Sequence, residues 1–133
     1  MIEKVEHIGV AVKSIDEALK VFHGALGLEV ESRSEMPERG LKVAFVAVGN
    51  THIELLEATN DTSTIAKFVR VRGEGIHHIS LQVKDIDKAL AECRAKGLKL
   101  IDEQPRSGAG GGRIAFIHPS STNGVLIELE ESH

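Results

Sequence analysis

Residues 7–19 read HIGVAVKSIDEAL, and residues 78–90 read HISLQVKDIDKAL. Offset by 71 (78 minus 7), the two windows agree at eight of thirteen positions: His, Ile, Val, Lys, Ile, Asp, Ala and Leu. The agreement spreads outward from there. After HIGVAV, Ser14 is placed to cap a helix in which Ile15, Ala18, Leu19, Phe22 and Leu26 recur at helical spacing, with Gly27 as its stop. After HISLQV, Asp85 takes the capping place, Ile86, Ala89, Leu90 and Cys93 form the apolar stripe, and Gly97 is the stop. A strand follows each helix, LEVESRSE in the first half and LKLIDEQ in the second. KVAFVAVGNTHIELLEA then parallels RIAFIHPSSTNGVLIELEE. Ala44-Phe45 keeps the offset of 71 with Ala115-Phe116, whereas Ile53-Glu54-Leu55 meets Ile127-Glu128-Leu129 at 74 (127 minus 53), so the second turn holds three extra residues.

Each half therefore reads β-α-β-β-β, and TNDTSTIAKFVRVRGEG between them reads as a short capped helix with a glycine linker. The expectation is an α+β protein of one domain over residues 1–133: module one about 1–58, a linker helix about 59–75, and module two about 76–133. A half of that size with one exposed sheet face buries too little area to stand alone. Two halves packed side by side, their sheets curled into one cupped mixed sheet, resolve this. The repeat is thus explained by fold, and does not by itself require function.

Composition narrows the partners. A formal net charge of -4 with no Lys/Arg-rich run excludes nucleic acid. No apolar run approaches the ~20 residues of a membrane span, and MIEKVEH lacks an apolar signal-peptide core. Cys93 is the only cysteine, so no intrachain disulfide can form, the cytoplasm is the expected compartment, and a buried apolar role is expected for the thiol. Trp and Tyr are absent while His numbers seven, so a site here is built from imidazole and carboxylate chemistry.

Strand alternation says where those groups lie. In EHIGVAV, Ile8, Val10 and Val12 form the helix-facing side, which leaves His7, Gly9 and Ala11 on the concave side. In HHISLQV the core side is Ile79, Leu81 and Val83, with His78, Ser80 and Gln82 opposite and His77 toward the helix or the strand edge. In THIELLE it is Ile53 and Leu55, with His52, Glu54 and Leu56 opposite; in VLIELEE it is Val125, Ile127 and Leu129, with Leu126, Glu128 and Glu130 opposite. A lone strand His is more often a hydrogen-bonded core or edge residue than a ligand, and a lone strand Glu more often solvated. Two of each, repeating in register and agreeing in parity, are a reasonable first shell for a divalent metal: His7, Glu54, His78 and Glu128. Each Glu sits between apolar neighbours, a costly place for a carboxylate without a compensating charge. The oxygen and nitrogen set without thiolate suits Mn, Co, Ni, Fe(II) or Zn, with positions left for water or substrate.

HIGVAV, GNTHIELLEA, STIAKF, GEGIHHI, PRSGAGGGRIAFIHP and GVLIELEE together resemble the vicinal-oxygen-chelate superfamily, and within it the methylmalonyl-CoA epimerases, over essentially the whole chain. The resemblance implies paired β-α-β-β-β modules and an isomerase acting on a small acyl-CoA. Its metal ligands fall on His7, Glu54, His78 and Glu128, the same four. The implied reaction inverts the carbon between a thioester and a carboxylate: a metal chelating both oxygens stabilises the enolate while bases on either side handle the proton. Glu128 is the first candidate base and Glu54 the second. One bacterial branch carries a catalytic glutamate three residues beyond the glycine matching Gly40, where this chain has Val43, so that two-base assignment does not transfer intact. A homodimer is expected on fold analogy. The alternatives are a glyoxalase I-like lactoylglutathione lyase, which would use the same ligands, and a metal-free binding module of the same fold.

The other polar features are weaker. The GAGGG stretch at 108–112 is a flap over the acyl group or a flexible hairpin loop, without the context of a nucleotide loop. Ser107, Arg113 and His118 are candidates for substrate contact, and His52 for support of Glu54. His23 and His133 read as surface residues, and Gly-Glu-Gly before Ile76 as linker.

Overall fold

The computed structural model describes residues 1–132; the expectation for His133, and with it the last residue of module two, lies outside them. The strands are β1 (Ile2–Ala11), β2 (Glu29–Met36), β3 (Leu41–Val48), β4 (Thr51–Ala58), β5 (Gly75–Val83), β6 (Arg106–Ser107), β7 (Arg113–Ile117) and β8 (Ile127–Glu131). The helices are α1 (Ile15–Leu19), α2 (Thr64–Arg72) and α3 (Ile86–Ala95). The chain gathers into two compact units, His7–His77 and Met1–Glu6 with His78–His133, so the divisions fall inside β1 and inside β5.

In the His7–His77 unit the strands run β2-β3-β4-β1. β1 lies parallel to β4 with His7 opposite His52 and Gly9 opposite Glu54, and β3 returns antiparallel with Phe45 opposite Glu54. Val12, Ile15, Ala44, Val46 and Leu55 form the core, with Val10, Ala18, Leu19, Phe22 and Ile53 packed against it. Ser14 caps α1 by accepting the Glu17 N–H at 3.2 Å. Beyond Leu19 the helix widens to π geometry over Lys20–Ala25, with the Leu26 N–H donating to the Val21 carbonyl. Wider turns rotate the following side chains off the α stripe, so Leu26 is 62% exposed, against the expectation that it joins the core. Gly27 ends the segment at φ 74°, as its sequence position implies. Ser63 caps α2 through the Ala66 N–H at 3.2 Å, so the expected linker helix is present.

In the second unit the order is β5-β8-β7-β6, with β5 parallel to β8 and β7 antiparallel to it. Val83, Ile86, Ala89, Leu90, Cys93, Leu100, Ala115, Ile117 and Leu129 form its core, as the α3 stripe requires. Asp85 caps α3 through the Lys88 N–H at 3.1 Å. The expected strand LKLIDEQ is reduced to one bridge, Leu100 to Ile117. The ladder stops because the Asp102 carboxylate, not a backbone carbonyl, accepts the Phe116 N–H at 2.8 Å, and Pro105 just beyond has no N–H to offer. Val125, expected in the core, is 41% exposed. It follows the turn that absorbs the three extra residues, in which Asn123 and Gly124 take φ of 60° and 86°, and β8 begins only at Ile127.

Candidate functional site

The two units repeat one local arrangement on the sheet face turned away from their helices. In the His7–His77 unit, His7 Nε2 lies 3.3 Å from Glu54 Oε1, and both residues are buried. The Phe45 ring, opposite Glu54 across the strands, meets the His7 imidazole edge to face at 5.9 Å. In the second unit Glu128 faces Phe116 on β7 and Ser80 on β5. The Phe116 ring meets His78 edge to face at 5.7 Å. His78 and Glu128 are each 4% exposed. Strand alternation has therefore done what the sequence implied: each unit carries one imidazole and one acid on the side away from its apolar cluster, braced by the same aromatic ring.

The donor set fits a divalent cation. Nitrogen and carboxylate oxygen at ligand spacing in the first unit, buried and free of thiolate, suit an ion of intermediate hardness. A carboxylate removed from water is costly without a counter-charge nearby.

Further along the same faces the units part ways. Beside Glu54 the next rung is Ala11, Leu56 and Val43, all buried and none belonging to either hydrophobic cluster. Beside Glu128 the next rung is Gln82, Glu130 and Ile114. Glu130 is 8% exposed. Ser80, one rung back, is fully buried, and its hydroxyl has no hydrogen-bond partner.

The family model described as the Glyoxalase/Bleomycin resistance protein/Dioxygenase superfamily matches residues 6–116. The chain is 38% identical over 131 residues to the mitochondrial methylmalonyl-CoA epimerase of Dictyostelium discoideum, covering 98% of this chain and 79% of that protein. The chain belongs to the methylmalonyl-CoA epimerase family of that superfamily. Its fold is the vicinal-oxygen-chelate fold that the tandem repeat implies. The crystal structure of methylmalonyl-CoA epimerase from Mycobacterium tuberculosis superposes with a TM-score of 0.94 at 34% identity, covering 99% of this chain and 89% of that one. A variant of the Streptomyces coelicolor methylmalonyl-CoA epimerase, solved in complex with 2-nitronate-propionyl-CoA, gives a TM-score of 0.94 at 33% identity, covering 99% and 96%.

Against that family background the remaining sequence candidates sort by their partners. Arg113 is engaged by Glu131 and Asp87, each at 3.0 Å, and these hydrogen bonds hold its guanidinium above the ordinary arginine range. His118 Nδ1 accepts the Ser120 N–H at 3.0 Å and caps a short turn. Glu74 of Gly-Glu-Gly accepts the Lys13 N–H at 2.7 Å, a structural contact. His23 is exposed and 2.7 Å from the Leu28 carbonyl, as a surface residue would be. His77 packs on Phe68 of α2 at 5.0 Å, the helix-side outcome. His52 pairs with Glu31, Nε2 to Oε2 at 2.8 Å. A β-bulge between Val30 and Ser32 displaces Glu31 from the regular pairing and aims it there. In the 108–112 loop, a Cβ on Gly108 would come within 2.6 Å of Ile114 Cγ2, so this glycine answers to close approach at the loop base.

Two carboxylates escaped the sequence reading. Glu57 accepts the Ile15 N–H at 2.7 Å and Glu131 the Ile86 N–H at 3.0 Å, so corresponding acids near the ends of the paired strands each cap a helix N-terminus. The offset of 74 (131 minus 57) was the available signal. Arg106 also escaped. It stands opposite Ile114, with its guanidinium 5.5 Å from the centre of the Phe116 ring.

No helix among the described residues is long and apolar enough to cross a membrane.

Proposed function

We propose that the protein is a metal-dependent methylmalonyl-CoA epimerase, interconverting the (R) and (S) thioesters. The observation that carries the reading is the pair of buried His and Glu couples, kept in register by the repeat, within a chain of the epimerase family. His7, Glu54, His78 and Glu128 would together hold one divalent ion, among Co, Mn, Ni, Fe(II) or Zn. Bound there, the ion would act as a Lewis acid toward the acyl group and lower the cost of charge on its oxygen.

The proton is the work of the chain's own acids. Glu128 takes it from the α-carbon, and the C–H electron pair moves into the enolate. Glu54 enters protonated and gives its proton to the other side, which leaves Glu128 protonated and Glu54 ionised until exchange with solvent restores them. Val43 leaves no acid at the place a bacterial branch uses, which is why Glu54 is assigned this second role. A positioned base of this kind contributes roughly 10² to 10⁴ in rate. His7 and His78, held edge-on by Phe45 and Phe116, keep their rings in one orientation. On fold analogy the protein works as a homodimer, which light scattering at known concentration checks.

The test is α-proton exchange in deuterated water with methylmalonyl-CoA. Glu128→Gln is expected to abolish exchange by at least about 10²-fold while metal, measured by elemental analysis, remains bound. Unaltered exchange removes Glu128 from the base role. Absence of epimerisation by the metal-loaded wild type, with turnover of a glutathione hemithioacetal instead, would replace the whole reading with the lyase.

A further inference from the structure

We propose that Ser80 is a further catalytic residue of this site, donating its hydroxyl proton in a hydrogen bond to the acyl oxygen on which charge collects as the α-proton leaves. The inference rests on the epimerase reading. Ser80 is 0% exposed, and its Oγ is a buried polar atom with no hydrogen-bond partner. Buried hydroxyls without partners are rare because each forfeits its bonds to water and gains none. Such a group persists where something outside the protein completes it.

Its place says what that is. Alternation along β5 puts His78, Ser80 and Gln82 on one face, while Leu81 and Val83 pack on the helix-side core. In the parallel register with β8, Ser80 stands opposite Glu128, the proposed base. The repeat supplies a control. Ser80 corresponds to Gly9 (80 minus 71), which stands opposite Glu54 in the same way. One unit forms its sheet with no polar side chain at this position, so the hydroxyl of the other is not a requirement of folding.

The proton balance is simple. The α-carbon gives its proton to the Glu128 carboxylate, the C–H electron pair becomes the enolate, and negative charge develops on the acyl oxygen. Ser80 keeps its own proton throughout and only strengthens its hydrogen bond. A donor already fixed in a water-free site is worth most at that moment, and losing one such donor costs up to about 10²–10³ in kcat.

The experiment compares Ser80→Ala and Ser80→Cys with the metal-loaded wild type. Ser80→Ala is expected to lower kcat at least tenfold with KM little changed, the mark of an interaction made in the transition state. It is also expected to raise the thermal midpoint by about 2–6 °C, because a hydroxyl without a partner is removed. Ser80→Cys, with a weaker donor, should fall between in kcat. A kcat/KM for Ser80→Ala within twofold of wild type overturns the proposal, and so does a lowered midpoint, which would mark the hydroxyl as structural. A wild type that does not epimerise methylmalonyl-CoA sinks the epimerase reading instead, and is recognised before any variant is made.

Discussion

Replacing Glu57 tests whether α1, on the sheet face opposite the site, is held by one carboxylate. Its Oε1 accepts the N–H of Ile15, the first residue of α1, at 2.7 Å in a partly buried setting. Ile15 itself is 1% exposed, so water has poor access to that N–H once the acceptor is gone. A hydrogen bond to a charged acceptor is worth about 1.5–3 kcal/mol, which already includes the favourable charge at a helix N-terminus. Glu57→Ala should therefore cost about 2 kcal/mol. For a chain of this size that is a fall of roughly 6–10 °C in the thermal midpoint. Glu57→Gln keeps a carbonyl oxygen in reach but removes the charge, so about half of the loss should return. Thermal unfolding by circular dichroism on the three proteins reads both numbers. If Glu57→Gln is as damaging as Glu57→Ala, charge and not the hydrogen bond holds the helix; if both match wild type within about 1 °C, the contact contributes nothing.

Glu131 does the same for Ile86, with the Arg113 guanidinium and then the Ile86 N–H holding its carboxyl below the ordinary value of 4.5. A depressed value means the folded protein binds the proton more weakly than the unfolded chain. Its contribution is therefore complete above pH 4.5 and lost as pH falls through the depressed value. The midpoint gap between wild type and Glu131→Gln should accordingly be open at neutral pH and close in acid, and a gap independent of pH would contradict the assignment. Gly108→Ala would set a methyl 2.6 Å from Ile114 Cγ2, and Ile114 is itself only 2% exposed. Overpacking of this kind costs about 1–3 kcal/mol, seen as a lowered midpoint, and an unchanged midpoint would show that the loop base yields freely.

Much of this was legible because local chemistry and packing agreed. Ser14 and Asp85 cap the helices that their positions announce, Gly27 and Gly97 stand at their ends with positive φ, and alternation sorted His7, Glu54, His78 and Glu128 onto the faces away from the apolar clusters. The failures share a cause. Each is a place where a side chain or a turn substitutes for regular backbone pairing, which periodicity does not register. Asp102 takes a backbone acceptor's place and ends a strand, the π turns after Leu19 carry Leu26 outward, and the turn at Asn123 displaces Val125 from β8. Glu57 and Glu131 were missed for the opposite reason. An acid at a strand end reads as solvated surface, and only the second copy marks it as something kept.

What the repeat keeps, and what it lets go, follows from the chemistry proposed for the site. Inverting a carbon asks for proton transfer on two sides, and the groups proposed to serve it occur in pairs: His7 and His78, Phe45 and Phe116, Glu54 and Glu128, with Glu57 and Glu131 holding the helices on the opposite sheet face. The carbon itself carries four different substituents, so a site with perfect twofold symmetry would bind both of its arrangements without telling alkyl from carboxylate. The copies differ beside these acids. Ala11, Leu56 and Val43 make one rung wholly apolar, whereas Gln82 and Glu130 make the corresponding rung polar, and Gly9 is answered by the hydroxyl of Ser80. An alkyl group set against the first rung would meet only apolar side chains, whereas a carboxylate there would lose its water for no partner. On the proposed reaction, duplication would supply paired bases from one sequence motif, and divergence next to them would supply the asymmetry that tells alkyl from carboxylate.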